Sequence, residues 1–283
     1  MNAIELNGIT KRYEGFLLDN VSLVLPQGSI MGLVGENGAG KSTTIKLIMN
    51  AIQRDGGTIR VLGEDNTTRD FLDVKQDIGI VLDEAYYPEV LTPVQVGAVM
   101  KLTYKNWDDT TYQNHLKQLD IPLKKQFRDF SRGMKMKLAI AVALSHQPKL
   151  LILDEATSGL DPMVRDEILT LFNDFTRDEA HSILLSSHIV SDLEKVCDYI
   201  AFLHKGKLML CEEKDRLLEE YAIVKTTQSA LDQFPADTVV SSKSGPYGVE
   251  ALVRKARLPH GVQTEFTTLE TIILFLAKGG ERA

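Results

Sequence analysis

The chain has 283 residues, of which 43% are hydrophobic and 25% are charged, a balance typical of a soluble globular protein that folds without disulfides. Its net charge of −7 argues against extensive binding to nucleic acid or to an anionic membrane surface. The two cysteines, Cys197 and Cys211, have no metal-binding or redox spacing, so we interpret them as reduced thiols of a cytosolic protein.

Insertion into a membrane is not predicted. No run reaches the ~18 consecutive apolar residues that a membrane-spanning helix requires. The N-terminal sequence also lacks the long apolar core of a signal peptide. Any association with a membrane is therefore expected to depend on a partner.

The N-terminal part of the chain contains short apolar runs bounded by glycine, proline and asparagine, which indicate strands and turns. A helix is predicted directly after a glycine-rich loop. The predicted elements are the strands Ala3–Ile9, Leu17–Val24, Ser29–Val34 and Gly57–Leu62 and a helix from Lys41 to about Ala51.

Residues 93–145 are predicted to be mostly helical. Ser131 is suited to cap a helix, and the segment 132–145 is apolar around most of its circumference, which indicates a largely buried helix. Residues 150–210 alternate between strand and helix, which favours a parallel sheet with crossover helices. The predicted elements there are the strands Leu150–Leu153, Ser182–Ser186 and Tyr199–His204 and the helices Pro162–Phe175 and Ser191–Cys197.

From about Asp215 the pattern changes to short strands around polar turns, followed by an amphipathic helix. The predicted elements are the strands Glu219–Thr226, Thr238–Ser242 and Val249–Val253 and the helix Thr267–Leu276. We interpret this part as a small α+β appendage.

A phosphate-binding loop follows the third strand. Residues 35–43 (GENGAGKST) match G-x-x-x-x-G-K-[ST] between an apolar strand and a helix, the context that the motif requires. Lys41 is predicted to neutralise the β- and γ-phosphates of a nucleotide, and the Ser42 hydroxyl to bind Mg²⁺. The residues expected to contact the nucleotide here are Gly35, Asn37, Gly38, Ala39, Gly40, Lys41, Ser42 and Thr43.

Residues 150–161 (LLILDEATSGLD) begin with an apolar strand, and two acidic residues, Asp154 and Glu155, directly follow it. Asp154 is expected to bind Mg²⁺ through water, and Glu155 to orient or deprotonate the attacking water, because phosphoryl transfer depends mostly on positioning and electrostatics. Asp161 and Pro162 then open a helix. Together with the phosphate-binding loop, these residues predict a protein that hydrolyses ATP.

Two further motifs, residues 130–134 (FSRGM) and 186–188 (SSH), complete a resemblance to the ATP-binding cassette (ABC) ATPases, specifically to the nucleotide-binding subunits of ABC transporters. The resemblance covers roughly residues 2–215, and FSRGM is similar to the family's signature motif, usually LSGGQ. It implies an α/β P-loop NTPase fold of the ABC type, with a parallel core sheet, an antiparallel β subdomain and a helical subdomain at about residues 88–147. The small α+β domain is then expected at residues 216–283.

The resemblance also assigns roles to individual residues. Tyr13 stands where the family has an aromatic ring that stacks on adenine, although a tyrosine in this context is by itself more often a packing residue. His188 matches the switch histidine that contacts the γ-phosphate, and Asp161 matches a loop that touches the partner subunit. The family forms a head-to-tail dimer with two ATP molecules between the subunits, in which Ser131 and Gly133 would cap the γ-phosphate held by the partner. A helix N-terminus at this position suits an anion.

Two motifs depart from the family pattern. Asp83 follows the strand after which the family usually has a glutamine that contacts Mg²⁺; it is a candidate Mg²⁺ ligand, or else only a loop acid. In the signature, Arg132 and Met134 replace a glycine and a glutamine. Both departures are similar to the cassettes of exporters whose membrane subunits are separate chains.

The resemblance therefore implies a subunit that binds and hydrolyses ATP with Mg²⁺, dimerises on ATP and powers a separate integral membrane permease for export. Such a subunit would be cytoplasmic and peripheral on the cytoplasmic face of the membrane. The transported substrate, the direction of transport and the choice between homodimer and heterodimer stay open.

Two other functions fit the sequence less well. A soluble ABC-type ATPase acting on DNA or the ribosome is disfavoured by the single cassette and the lack of a long coiled coil or strongly basic tail, so no nucleic-acid partner is expected. A regulatory cassette without hydrolysis is disfavoured by Glu155 and His188, whereas Asp83 is compatible with it.

Overall fold

The computed structural model describes most of the chain, namely residues 1–83, 87–235, 237–246 and 248–279. Within it the chain forms two compact units, Met1–Leu208 and Met209–Ala283. The boundary between these units lies within a strand, whereas the sequence pattern predicts it near residue 215. The limits predicted for the helical subdomain stay a prediction.

Up to Glu213, the last residue of the strand that crosses this boundary, the structure describes ten strands and seven α-helices. The strands are β1 (Asn2–Tyr13), β2 (Phe16–Pro26), β3 (Ile30–Val34), β4 (Gly56–Val61), β5 (Glu64–Asp65), β6 (Ile78–Val81), β7 (Leu150–Asp154), β8 (Ser182–Ser187), β9 (Tyr199–His204) and β10 (Lys207–Glu213). The helices are α1 (Lys41–Ile48), α2 (Phe71–Val74), α3 (Pro93–Thr103), α4 (Asp109–Gln118), α5 (Arg132–Leu144), α6 (Pro162–Phe175) and α7 (Val190–Val196).

A six-stranded sheet in the order β10-β9-β3-β8-β7-β6 forms the core. The neighbouring pairs from β9 to β6 are parallel. Every residue of β3, β7 and β8 is buried, as expected for parallel strands that are covered on both faces. The parallel sheet predicted from the alternation of strands and helices is therefore confirmed.

The register of the central strands brings their carboxyl ends together. Val34 at the end of β3 lies opposite Ser187 of β8, and Asp154 at the end of β7 lies opposite Ser186. The loops after β3, β7 and β8 therefore leave the sheet at the same edge. In open α/β sheets, ligands bind at this edge.

Four N-terminal strands form a second, antiparallel sheet in the order β2-β1-β4-β5. The helices α3, α4 and α5 form the predicted helical segment. Thr92 and Gln95 cap the start of α3 reciprocally, with Pro93 at its first position. Every residue of α5 from Leu138 to Leu144 is buried, which confirms the expected buried helix.

The described residues of the second unit form a three-stranded antiparallel sheet and three α-helices. Its elements are α8 (Lys214–Glu220), β11 (Tyr221–Thr226), α9 (Gln228–Leu231), β12 (Val239–Gly245), β13 (Gly248–Arg254) and α10 (Leu269–Gly279). The strand order is β11-β13-β12, and one face of the sheet carries an apolar cluster that includes Ala222, Val224 and Ala251. This unit is of the α+β type, as expected.

Some predicted limits were wrong for local reasons. The strand predicted from Glu219 begins only at Tyr221, because residues 214–220 (KDRLLEE) contain helix-forming side chains and no β-branched residue. Helix α1 ends at Ile48 rather than near Ala51, since Asn50 adopts a left-handed φ of 49°. Strand β10 and helix α9 were not predicted. None of the helices in the described part of the chain is long and apolar enough to cross a bilayer.

The buried His146 makes the stability of the first unit depend on pH. Its ring stacks on Tyr104 with the centroids 3.8 Å apart, and Nε2 lies 3.2 Å from the carbonyl oxygen of Ile78. Burial lowers the pKa of His146 below its usual value of 6.5. The unfolded chain therefore binds a proton more readily, so this contribution to stability is present above pH 6.5 and is lost as the pH falls below it.

The unfolding free energy of the parent is expected to fall as the pH is lowered. We expect this fall to be smaller in the His146→Gln protein, by up to about 1.4 kcal/mol per pH unit. Urea titrations at neutral and mildly acidic pH measure this slope. The same change at the exposed His260 is the matched control, against which the effect at His146 is compared. An identical pH dependence in the parent and in the His146→Gln protein would contradict the assignment.

Candidate functional site

The glycine-rich loop between β3 and α1 forms an open cradle. Gly38 and Gly40 have left-handed φ values of 82° and 112°. A Cβ at Gly40 would lie 2.9 Å from the side chain of Leu18 and 3.1 Å from the ring of Phe16, so only glycine fits there. No described side chain caps α1, which leaves its first N–H groups facing the loop. Such a helix start attracts phosphate groups.

Lys41 places a buried cation at this cradle. Its side chain is only 6% exposed, and Nζ donates hydrogen bonds to the carbonyl oxygens of Gly35 at 2.7 Å and Glu36 at 3.3 Å. The same Nζ lies 3.1 Å from Oε1 of Glu155. A buried ammonium group is costly unless anionic or polar groups surround it, so this position is built to hold negative charge.

Glu155 links the cradle to the end of β8. It directly follows β7, and its left-handed φ of 53° ends the extended conformation of that strand. Oε1 faces Lys41, and Oε2 accepts a hydrogen bond of 2.7 Å from Nδ1 of His188. Three residues that are far apart in the sequence therefore form a continuous chain of contacts, Lys41–Glu155–His188.

Asp154 lies beside this chain of contacts. It is the buried last residue of β7, and its Oδ1 accepts a hydrogen bond of 2.5 Å from the Ser186 hydroxyl. This bond fixes the orientation of the carboxylate. Within the described residues, no group of three His, Cys, Asp or Glu side chains could hold a metal ion. A metal ion here would need other oxygen ligands as well.

A cavity of about 390 Å³ lies over the cradle. Its size and donors suit the phosphate part of a nucleotide, with the buried ammonium of Lys41 and the open N–H groups of α1 on its wall. It is lined by Phe16, Glu36, Asn37, Gly38, Gly40, Lys41, Ser42, Thr43, Asp83 and Glu155.

Sequence reasoning missed Phe16. Its ring contacts the position of Gly40, and it pairs with Tyr13 across the hairpin between β1 and β2. A second aromatic residue three positions after Tyr13 was the available signal. Tyr13 itself is 44% exposed, and the Lys11 ammonium lies 5.5 Å from its ring centroid. It is not among the described residues that line the cavity.

The signature residues lie at the start of α5. The Ser131 hydroxyl accepts a hydrogen bond of 3.2 Å from the Met134 N–H, as a helix cap does. Asp161 caps α6 in the same way, with Oδ1 accepting from the N–H groups of Met163 and Val164 at 3.2 and 3.1 Å. Ser131 and Asp161 are exposed, and neither they nor Gly133 are among the described residues that line the cavity of their own chain.

The family model described as "ABC transporter" matches residues 18–158. The ABC transporter ATP-binding protein YtrB of Bacillus subtilis (strain 168) is 34% identical over 220 residues, which are 77% of this chain and 74% of that protein. The chain belongs to the ABC transporter ATP-binding proteins. The predicted family is therefore confirmed, and as a member of it this cassette is an ATPase subunit that powers membrane transport.

Other relatives support the same family membership. The lantibiotic transport ATP-binding protein SrtF of Streptococcus pyogenes is 33% identical over 217 residues, which are 75% of this chain and 91% of that protein. A solved dimer of the ATP-binding cassette MJ0796, bound to ADP and Pi, has a TM-score of 0.66 at 21% identity and covers 74% of this chain and 98% of its own. The α/β fold of the ABC type is therefore confirmed, and the relatives do not favour a function on DNA or the ribosome.

Proposed function

We propose that this subunit binds ATP and Mg²⁺ at the glycine-rich loop, closes head to tail on a second copy of itself, and drives a separate membrane permease for export. It would act on the cytoplasmic face of the membrane, held there by the permease. The observation that carries the proposal is the contact chain Lys41–Glu155–His188, of which Lys41 and Glu155 line the cavity.

The geometry supports a division of work among these side chains. Lys41 would exchange Glu155 for the β- and γ-phosphate oxygens, because both compete for the same ammonium group. Glu155 is then free to orient the attacking water and accept its proton. His188 holds Oε2 of Glu155 in place and would contact the γ-phosphate.

Mg²⁺ would be held by hard oxygen ligands, and Ser42, Asp154 and Asp83 supply them at this edge of the sheet. When bound, the ion would neutralise charge on the phosphates. Ser186 contributes by keeping the Asp154 carboxylate oriented. Tyr13 would stack on the adenine ring, and Phe16 adds a second aromatic wall near the loop.

The dimer proposal rests on the exposed helix start at Ser131 and Gly133. Their N–H groups and the Ser131 hydroxyl form an anion site that does not face the cavity of the same chain, so it is available to a partner's γ-phosphate. Asp161 is exposed at the start of α6 and would contact the partner as well. The solved cassette dimer with ADP and Pi provides a precedent in the same fold.

The transport function in the name of a relative supports export. SrtF is a lantibiotic transport protein, and its similarity spans 91% of its length. We expect this cassette to co-purify from membranes with a multi-span subunit, and the cassette's ATP turnover to rise in that complex. Salt-sensitive binding to DNA or ribosomes without any membrane association would contradict the proposal.

A further inference from the structure

Asp83 and Arg132, two of the positions that depart from the family pattern, contact each other. Nη2 of Arg132 lies 2.8 Å from Oδ1 of Asp83, and each side chain is about half exposed (52% and 54%). Asp83 lies on the wall of the nucleotide cavity, whereas Arg132 is the first residue of α5. The ion pair therefore connects the cavity of this chain with the helix start proposed to face the partner.

A second contact holds the Arg132 guanidinium in place. A Cβ built on Gly159 would lie 3.1 Å from Nη1 and 3.2 Å from Cζ of Arg132, so the guanidinium rests against the bare backbone of Gly159. Gly159 has a φ of 68° and belongs to the turn that follows Glu155. Exposed ion pairs are weak when both side chains move freely, but this arginine is also packed against backbone.

The charges on the cavity wall explain why such an arginine is needed. Among the described residues that line the cavity, Glu36, Asp83 and Glu155 are acidic, and only Lys41 is basic. An additional carboxylate beside a triphosphate disfavours binding, because two negative charges a few ångströms apart repel each other appreciably near a protein surface. Arg132 supplies the compensating positive charge directly on Asp83.

We propose that Arg132 is a positioning residue for ATP binding: it pairs with Asp83 and neutralises it, so that an acid can stand on the wall of the nucleotide cavity. This inference rests on the proposed nucleotide site. It relates the departure at position 83 to the departure at position 132. The acid at position 83 is tolerated because the arginine at position 132 is present.

A double-mutant cycle on ATP affinity tests the proposal. ATP binding is measured by calorimetry in excess chelator, which removes any contribution from Mg²⁺. We expect Arg132→Gln to raise the Kd about 3- to 10-fold, with a smaller effect at high salt because the unpaired Asp83 is then screened. With no Mg²⁺ present for Asp83 to bind, Asp83→Asn only removes an acid from the cavity wall, so it should lower the Kd. In the double variant it should restore the Kd to near the parental value.

Two controls separate charge from structure. Arg132→Lys keeps the charge and should stay close to the parent. Arg128→Gln removes an exposed arginine from the segment before α5 and should not change the Kd. If Arg132→Gln weakens binding equally with and without Asp83→Asn, or does not weaken it at all, the role of Arg132 is overturned. A parent protein that binds no ATP would overturn the proposed nucleotide site itself, and this inference with it.

Discussion

The change Glu155→Gln is expected to lower the rate of ATP hydrolysis by about 10²–10⁴-fold, because glutamine keeps the shape of the side chain but cannot accept a proton from the attacking water. ATP affinity should be equal or higher, since Lys41 lies 3.1 Å from Glu155 Oε1 and loses an anionic competitor for its ammonium group. Phosphate release under single- and multiple-turnover conditions measures the rate, and nucleotide binding is measured on the same samples.

The control for this prediction is Glu179→Gln, which changes an exposed acid of the same unit and should hydrolyse ATP like the parent. His188→Ala provides a second comparison. Because Nδ1 of His188 holds Oε2 of Glu155, its loss should reduce turnover without abolishing ATP binding. Parental turnover in the Glu155→Gln protein would show that Glu155 is not the base.

The change Ser131→Arg is expected to abolish ATP-driven dimerisation while leaving ATP binding to the single subunit intact. A bulky cation at the exposed start of α5 would occupy the place proposed for the partner's γ-phosphate, whereas Ser131 does not line the cavity of its own chain. Losing the helix cap should lower the unfolding free energy by only about 1 kcal/mol, so the protein should remain folded. Sedimentation velocity with ATP and Mg²⁺ measures the association.

Two variants make this result interpretable. Ser131→Ala removes the cap without adding bulk and should weaken dimerisation less than arginine does. Ser229→Arg adds the same side chain at an exposed position of the second unit and should dimerise like the parent. A Ser131→Arg protein that dimerises normally on ATP would remove this helix start from the interface.

Local signals made much of the fold predictable. Helix α6 and strand β9 have the limits that the sequence predicts, because Asp161 and Pro162 open the helix and the apolar run 199–204 lies between polar turns. Helix α8 was mistaken for the start of a strand, since seven residues give little periodicity to distinguish a short helix.

The candidate site also has one part that the sequence predicts and another part that it does not. The glycine-rich loop and the acids after β7 could be found because their residue types and spacing follow from the chemistry of phosphate and Mg²⁺. The ion pair between Asp83 and Arg132 could not, because 49 positions separate them and only tertiary packing brings them to 2.8 Å. Phe16 was missed for a related reason, since its place on the cavity wall depends on how the β1–β2 hairpin packs against Gly40.

The central claim is that this chain completes its nucleotide site with a second copy of itself. The most direct test is sedimentation of the Glu155→Gln protein with ATP and Mg²⁺, where slow hydrolysis should preserve the ATP-bound state. We predict that the mass doubles with one ATP bound per subunit, and that adding Ser131→Arg to the same chain returns the mass to that of a single subunit. A Glu155→Gln protein that binds ATP but keeps the mass of a single subunit would contradict the claim.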